Sequence, residues 1–418
     1  MNFTIKEIAK IIEASEPSAD ERLVHHLEFD SRKIKANDIF LTLPGVRDGV
    51  EFIDVARVNG AIEVIAPNVG LKTDDRLGAL HKLAKAYIEK NDMKVVAITG
   101  SNGKTTTKDL VESVLSKKYK TYKTQGNYNN EIGMPYTVLS ADYDTQILIL
   151  EMGMDHEGDI DVLVNIAKPD YSIITIIGES HIENLGSREN IAKEKGKVKT
   201  GFTLIPEDEP LLDGTPVGLS KVTNVEQKED STKFTVKDLG EFEIPLSGLY
   251  NVENALKAIY LGLELNVDIK DIKDALKTVE VTKNRGDWHR LPNNISIFSD
   301  VYNANPTAMK LAIENFQNTT PKNVKNILVL GDMLELGENS TNYHKDLKTV
   351  INADEIFLYG DEMAALAAEL PKANWFAKNA KEELISELKR AITPDTRVML
   401  KASNSMKLSE VVDEILNT

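Results

Sequence analysis

Short runs of β-branched and aliphatic residues recur along the chain, most of them followed by apolar positions three and four apart, the alternation of strand and helix. The run Val95-Val96-Ala97-Ile98 is the clearest strand, and Leu110, Val111, Val114 and Leu115 after it share one helical face. Two more buried-type strands read at 146–151 and 171–177. Before this block, Ile5, Ile8, Ala9, Ile11 and Ile12 form a helical face, strands read at 27–30, 39–43 and 61–66, and helices at Gly49 to Ala56 and 77–90. After it, 221–245 alternates apolar and polar positions around Asp238-Leu239-Gly240 as a small β-meander, and Leu256, Ile259, Tyr260 and Leu263 give an apolar helix. From 284 onward, strands at 295–299, 326–330, 355–358 and 397–401 alternate with helices at 307–316, 340–351, 362–370, 381–392 and 405–417. The pattern predicts an α/β protein of three domains: a small α/β domain over 1–92, a central parallel-sheet domain over 93–283, and a doubly wound, Rossmann-like domain over 284–418.

Composition agrees with this and narrows the function. A chain of 418 residues exceeds one core and suggests two or three domains. Asp and Glu number 66 against 50 Lys and Arg, a formal charge of −16, which argues against nucleic acid as a partner. The absence of cysteine excludes disulfides, thiolate catalysis and cysteine metal sites. The first residues carry no uninterrupted apolar segment of the signal-peptide kind, and no apolar run is long enough to span a bilayer. The expectation is a soluble cytoplasmic protein with no membrane insertion.

The candidate chemistry starts between the strand at 95–98 and its helix, at Gly100-Ser101-Asn102-Gly103-Lys104-Thr105-Thr106. A strand, a glycine turn, a lysine, hydroxyl residues and a helix describe a phosphate-binding loop. Glycines let backbone N–H groups crowd round phosphate oxygens, and the helix N-terminus adds partial positive charge. Lys104 is expected to reach the β- and γ-phosphates of a nucleoside triphosphate, and a hydroxyl of Thr105 or Thr106 to ligate Mg²⁺. The loop departs from G-x-x-x-x-G-K-[ST], because Ile98 stands where the first glycine belongs. Glu151 closes its strand and could hold Mg²⁺ opposite the threonine hydroxyl, or be a solvated strand-end acid. His181 follows the strand at 171–177, and the run 190–197 opens as a helix of alternating charge, read on composition alone as a solvated face. Ser31 and Arg32 offer a hydroxyl and a planar cation to a diphosphate or a uracil-type ring, or form an ordinary turn. Asn127, Asn129 and Asn130 lie in a polar loop over 124–133 suited to a carbohydrate, peptide or phosphate, or an Asn-rich turn. Asn251 and Asn254 share a helix face, where an asparagine amide can pair with adenine or Asn251 can cap the helix. Two segments, 300–306 with Asp300, Asn303 and Asn305, and 331–337, lie at strand carboxyl ends.

Together these segments resemble the Mur ligases. The short glycine loop, Glu151, His181, Tyr250-Asn251-Val252-Glu253-Asn254, Arg285 and Asp300 occur in that family's order. Within the family, the segments at 124–130, 300–306 and 330–337 resemble the members that add D-alanyl-D-alanine to UDP-N-acetylmuramoyl-tripeptide. The resemblance implies an ATP-dependent amide ligase of peptidoglycan precursor synthesis, working through an acyl phosphate, with ATP and two Mg²⁺ ions, and acting as a monomer. It implies that domain 1–92 binds the uridine nucleotide through Ser31 and Arg32, that domain 93–283 binds ATP, and that Asn127, Asn129, Asn130, Asn303 and Asn305 meet substrate. It also implies Asn254 on adenine, Asp300 on ribose, Arg285 on the γ-phosphate, and Thr105, Glu151, His181 and a carbamylated lysine on the metals. That lysine is expected at Lys195, fourteen residues after His181, with Lys193 its near competitor. Two departures stand out: Lys401-Ala402-Ser403 replaces the family's Lys-Gly-Ser, and Asn284-Arg285 replaces Gly-Arg.

Overall fold

The computed structural model describes residues 1–282 and 286–417. Arg285 lies outside the described residues. The first layer is α1 (Ile5–Ile11), β1 (Leu27–Glu28), β2 (Ile39–Leu41), α2 (Ile53–Val58), β3 (Glu63–Ala66), β4 (Leu71–Lys72) and α3 (Arg76–Lys90). Thr4 starts α1 with a capping box, its hydroxyl accepting from Glu7 N–H while the Glu7 carboxylate accepts from Thr4 N–H. The four strands pair in parallel in the order β1-β2-β3-β4. Ile34, Phe40, Ile53, Ala56, Val64 and Ala66 form one core cluster of this layer.

The chain continues through β5 (Lys94–Thr99), α4 (Lys104–Leu115), β6 (Thr121–Lys123), α5 (Gly133–Ser140), β7 (Ile147–Glu151), α6 (Asp159–Ala167), β8 (Tyr171–Ile174), α7 (Ile182–Leu185), α8 (Arg188–Gly196), β9 (Phe202–Pro206) and β10 (Thr215–Val217). Its sheet has the order β10-β9-β8-β5-β7-β6. The strand expected over 171–177 ends at Ile174, and beyond it the Ile176 carbonyl accepts from Ser101 N–H. A three-stranded antiparallel meander follows, β11 (Val222–Gln227), β12 (Thr232–Val236) and β13 (Gly240–Ile244), then α9 (Leu249–Glu264) and α10 (Ile269–Lys277).

The last sheet contains β14 (Asp287–Leu291), β15 (Ile295–Asp300), β16 (Lys325–Gly331), β17 (Glu355–Tyr359), β18 (Asn374–Phe376) and β19 (Thr396–Lys401), in the order β14-β15-β19-β16-β17-β18. All pairs are parallel except β14 with β15. Between the strands run α11 (Pro306–Asn318), α12 (Ser340–Asp346), α13 (Ala364–Ala367), α14 (Lys381–Ala391) and, at the end, α15 (Leu408–Leu416). Alternate side chains of each central strand go to opposite faces. Ile297, Ile327, Val329, Val398 and Leu400 pack with Leu384 and Leu388 of α14 and Val411 of α15. Phe298, Leu328, Leu330 and Met399 pack with Met309 and Ile313 of α11. Both faces are buried, so these strands read as continuous apolar runs. The helix expected over 340–351 stops at Asp346 and tightens into a 3₁₀ turn over Leu347–Thr349, and that expected over 362–370 shrinks to α13. There Met363 N–H is taken by the Asp332 carboxylate instead.

By packing, the chain forms two compact units. One comprises Met1–Thr99, Lys118–Ile173 and Lys197–Thr203, and the other Gly100–Lys117, Ile174–Gly196 and Leu204–Thr418. Among the described residues no helix is long and apolar enough to cross a membrane.

Candidate active site

In the second unit, the glycine loop turns where its sequence requires. Gly100 has φ +148°, and a Cβ there would lie 1.9 Å from the Thr175 hydroxyl. Gly103 has φ +77° and caps α4, and its Cβ would lie 3.0 Å from both amide atoms of Asn254. Side chains rarely adopt such φ values, so glycine keeps this backbone open. Thr175 donates its hydroxyl proton to the Asn102 carbonyl. Lys104 begins α4 and folds back to donate to the Gly100 carbonyl at 2.8 Å. A bound triphosphate would compete for that ammonium group, which sits at the positive end of the α4 dipole.

The loop borders a cavity of about 340 Å³. Asn102, Gly103, Thr105 and Thr106 line one side, and Tyr250, Asn251, Glu253 and Asn254 of α9 another. Trp288, Phe298, Leu246 and Leu311 supply an apolar wall, and Asp300, Asn303 and Lys401 a polar corner. Asn251 donates to the Ser247 carbonyl at 2.7 Å, and Gly248 caps α9, so Asn251 is not the cap. Lys401, almost wholly buried, donates to Asp300 Oδ2 at 2.5 Å and to the Asn303 carbonyl at 2.9 Å. In the cavity wall, burial pushes the Glu253 carboxyl up. Burial also lowers the Lys257 ammonium to about 8, outweighing the attraction of Glu253. An apolar wall with a few placed amides and carboxylates is the general make-up of a small-molecule site.

Other expected residues are placed differently. Ser101 is buried, its hydroxyl accepting from Gly178 N–H at 2.9 Å, so its side chain serves the loop's scaffold. Asn305, expected on substrate, is also buried: it caps α11 by accepting from Ala308 N–H at 2.9 Å. Its amide exchanges hydrogen bonds with that of Asn102 at 2.8 and 3.0 Å and donates to the Ser180 hydroxyl at 2.6 Å. Asn303 faces the cavity of the glycine loop. His181, with φ +62°, lies seven residues beyond β8, and its Nδ1 is 2.7 Å from Glu335, itself at φ +64°. The charged run on α8 is no solvated face: Glu194 and Lys195 are buried, and Lys193 is exposed. Ala402 fits because Gly331 faces it, where a Cβ would come within 2.7 Å of that of Ala402.

In the first unit, Glu151 ends β7 level with Ile98 of β5, two residues before Gly100. It is buried and accepts from Asn129 Nδ2 at 2.9 Å. Asn130 accepts from the N–H of Gly133, the first residue of α5, at 2.8 Å, and both it and Asn127 are exposed. Asn129 and Asn130 therefore build the loop as well as display it. Ser31 is buried and Arg32 exposed, the guanidinium held by Asp30 at 2.8 and 2.9 Å.

Against known families, residues 98–212 match the Mur ligase middle domain and 284–404 the Mur ligase, glutamate ligase domain. The UDP-N-acetylmuramoyl-tripeptide–D-alanyl-D-alanine ligase of Bacillus subtilis is 36% identical, over 99% of this chain and 98% of that protein. The chain belongs to the Mur ligase family. The Synechocystis ligase of the same name is 31% identical, over 94% of this Mur ligase and 92% of that protein. Among solved structures, MurF from Acinetobacter baumannii matches with TM-score 0.91 at 26% identity, covering 100% of this chain and 99% of that one. The MurF ligase of Thermotoga maritima in complex with ADP matches with TM-score 0.84 at 27% identity, covering 94% and 97%.

Sequence reading missed several residues that this Mur ligase brings to the cavity. Trp288 lies on β14, an edge strand whose side chains are mostly half-buried and show no clean alternation. Asp230 comes from the β11–β12 hairpin, read as a plain meander. Glu253 was open to discovery, since it stands between Asn251 and Asn254. Among the described residues no three His, Asp or Glu side chains converge as a metal cage. Mg²⁺ keeps water and phosphate oxygens and takes only one or two protein carboxylates. Glu151 is a buried hard-oxygen donor of that kind.

Proposed function

We propose that this Mur ligase joins D-alanyl-D-alanine to UDP-N-acetylmuramoyl-tripeptide at the expense of ATP. The observation that carries the reading is its full-length likeness to ligases of that name. A peptide carboxylate cannot expel oxide at neutral pH, so it must be given a better leaving group. In this reading the tripeptide carboxylate takes the γ-phosphoryl group of ATP, the bond to the β-phosphate oxygen breaks, and ADP is the leaving group. The amine of D-alanyl-D-alanine attacks the resulting acyl phosphate, and inorganic phosphate departs. Carboxylate and triphosphate repel each other, so catalysis is mainly neutralisation and alignment. Lys104 and the α4 N-terminus hold the phosphates, Asn254 and the aromatic wall the adenine, and Asp300 the ribose. Arg285 is assigned to the γ-phosphate.

The finer assignments belong to the same reading. Two Mg²⁺ ions would draw on Thr105 and Glu151 for one and on His181 and carbamylated Lys195 for the other, supplying charge neutralisation when bound. The burial of Lys195 and the exposure of Lys193 support the choice between them. Ser31, Arg32 and Asn127 are assigned to the nucleotide and peptide substrate, with 1–92, 93–283 and 284–418 as uridine-nucleotide, ATP-binding and C-terminal domains. The protein is read as a cytoplasmic monomer. Phosphate release by purified protein should require ATP, the tripeptide nucleotide and D-alanyl-D-alanine together, and Lys104→Ala should abolish it. Release that ignores D-alanyl-D-alanine, or survives Lys104→Ala, would refute the reading.

A further inference from the structure

At Glu28 the chain leaves the first sheet, and the next two N–H groups lose their ladder partners. Glu28 supplies the replacement itself: its Oε1 accepts from Phe29 N–H at 2.8 Å and Asp30 N–H at 2.9 Å. Glu28 is 4% exposed, so the second oxygen of its carboxylate also needs a donor. Tyr136 provides it, reaching from α5 to place its hydroxyl 3.0 Å from Glu28 Oε2. With that proton committed to Glu28, the 3.3 Å contact between the Tyr136 oxygen and His26 Nε2 makes the histidine nitrogen the donor. The ring is fixed edge-on against Phe29, His26 and Tyr128, at centroid distances of 4.9, 5.4 and 5.6 Å. Beyond Glu28, Asp30 accepts from Arg32 N–H at 3.1 Å and grips its guanidinium, and Asn59 donates to the Ser31 carbonyl at 2.9 Å. The turn that presents Ser31 and Arg32 is therefore built before any ligand arrives, and one of its anchors comes from a helix about a hundred residues later in the chain.

We propose that Tyr136 is a positioning residue for the uridine-nucleotide substrate, its hydroxyl holding Glu28 so that Glu28 fixes the Ser31–Arg32 turn. The proposal rests on the reading of that turn as the uridine-nucleotide contact. A preformed turn spares the ordering cost that binding would otherwise meet. Loss of the hydroxyl should weaken capture of this one substrate and leave the phosphoryl chemistry alone. Glu28→Gln is the conservative counterpart, since its amide oxygen can accept from both N–H groups and its NH₂ can donate to the Tyr136 oxygen.

The test is steady-state kinetics with each substrate varied in turn, titration with UDP alone, and thermal melting, on Tyr136→Phe, Glu28→Ala, Glu28→Gln and Arg32→Ala. Tyr136→Phe should raise the KM for the uridine nucleotide and the Kd for UDP about three- to tenfold, the reach of one charge-assisted hydrogen bond. The kcat and the KM for ATP should stay within about twofold. Glu28→Ala should do at least as much, and Glu28→Gln should remain near the parent. An unchanged KM in Arg32→Ala would overturn the assignment of the turn itself. If Arg32→Ala raises that KM while Tyr136→Phe shifts only the melting temperature, kcat or the KM for ATP, the positioning role is wrong and the assignment stands.

Discussion

Gly100→Ala tests whether the loop's shape, more than its charge, admits the nucleotide. The new Cβ would lie 1.9 Å from the Thr175 hydroxyl and 3.1 Å from the Thr175 Cβ and backbone nitrogen. Thr175 must therefore rotate away and give up its bond to the Asn102 carbonyl, worth about 1 kcal/mol. Alanine held at φ +148° adds strain of about 1–3 kcal/mol. If the loop relaxes to escape both penalties in the free protein, ATP must restore the binding shape at a cost of about 2–4 kcal/mol, weakening it roughly 30- to 1000-fold. Isothermal titration with Mg-ATP measures this directly, with circular dichroism to confirm the fold. A second substitution separates the terms: Thr175→Ala removes the colliding hydroxyl and leaves the φ strain, so Gly100→Ala/Thr175→Ala should bind about fivefold more tightly than Gly100→Ala. Binding by Gly100→Ala within about threefold of the parent, or a double variant no better than the single one, would refute this account.

Lys195→Ala should abolish ligation whereas Lys193→Ala leaves it largely intact, and labelled bicarbonate should give a carbamate carbon signal that disappears in Lys195→Arg. Lys257 should make stability rise with pH from about 8 to the ordinary lysine value of 10.5, because in that window the unfolded chain holds a proton that the folded chain has lost. The change sums to about 3 kcal/mol, and melting across that range should lose this slope in Lys257→Met. Asn305→Ala removes a buried cap and the paired amide of Asn102, so it should lower the melting temperature and raise the KM for ATP, both by titration against the parent.

Much of this molecule is written locally. The strands at 95–98, 327–330 and 398–400 are continuous apolar runs because both faces of their sheets are covered, and such runs survive any small error in register. Gly100, Gly103 and Lys104 are legible because phosphate binding needs a backbone shape and a charge that few other residues supply. The edge strands β4, β6, β14 and β18 escaped notice, since they are short or half-buried and take their form from a neighbour. The charge alternation of α8 misled in the other direction: a helix can bury Glu194 and Lys195 once tertiary partners surround them, and composition contains no trace of those partners.

The sequence alone determined the α/β class, the glycine loop and the family's ordered set of polar residues, since each depends on neighbours within a few positions. Only the tertiary structure decided which of those residues line the cavity beside the glycine loop and which hold one another. Asn305 is hydrogen-bonded to Asn102 and Ser180, and Ser101 to Gly178. Glu28 was joined to Tyr136, and Trp288 brought to the cavity. The reason is physical: a buried polar group must find a partner wherever the fold supplies one, and that partner can lie two hundred residues away.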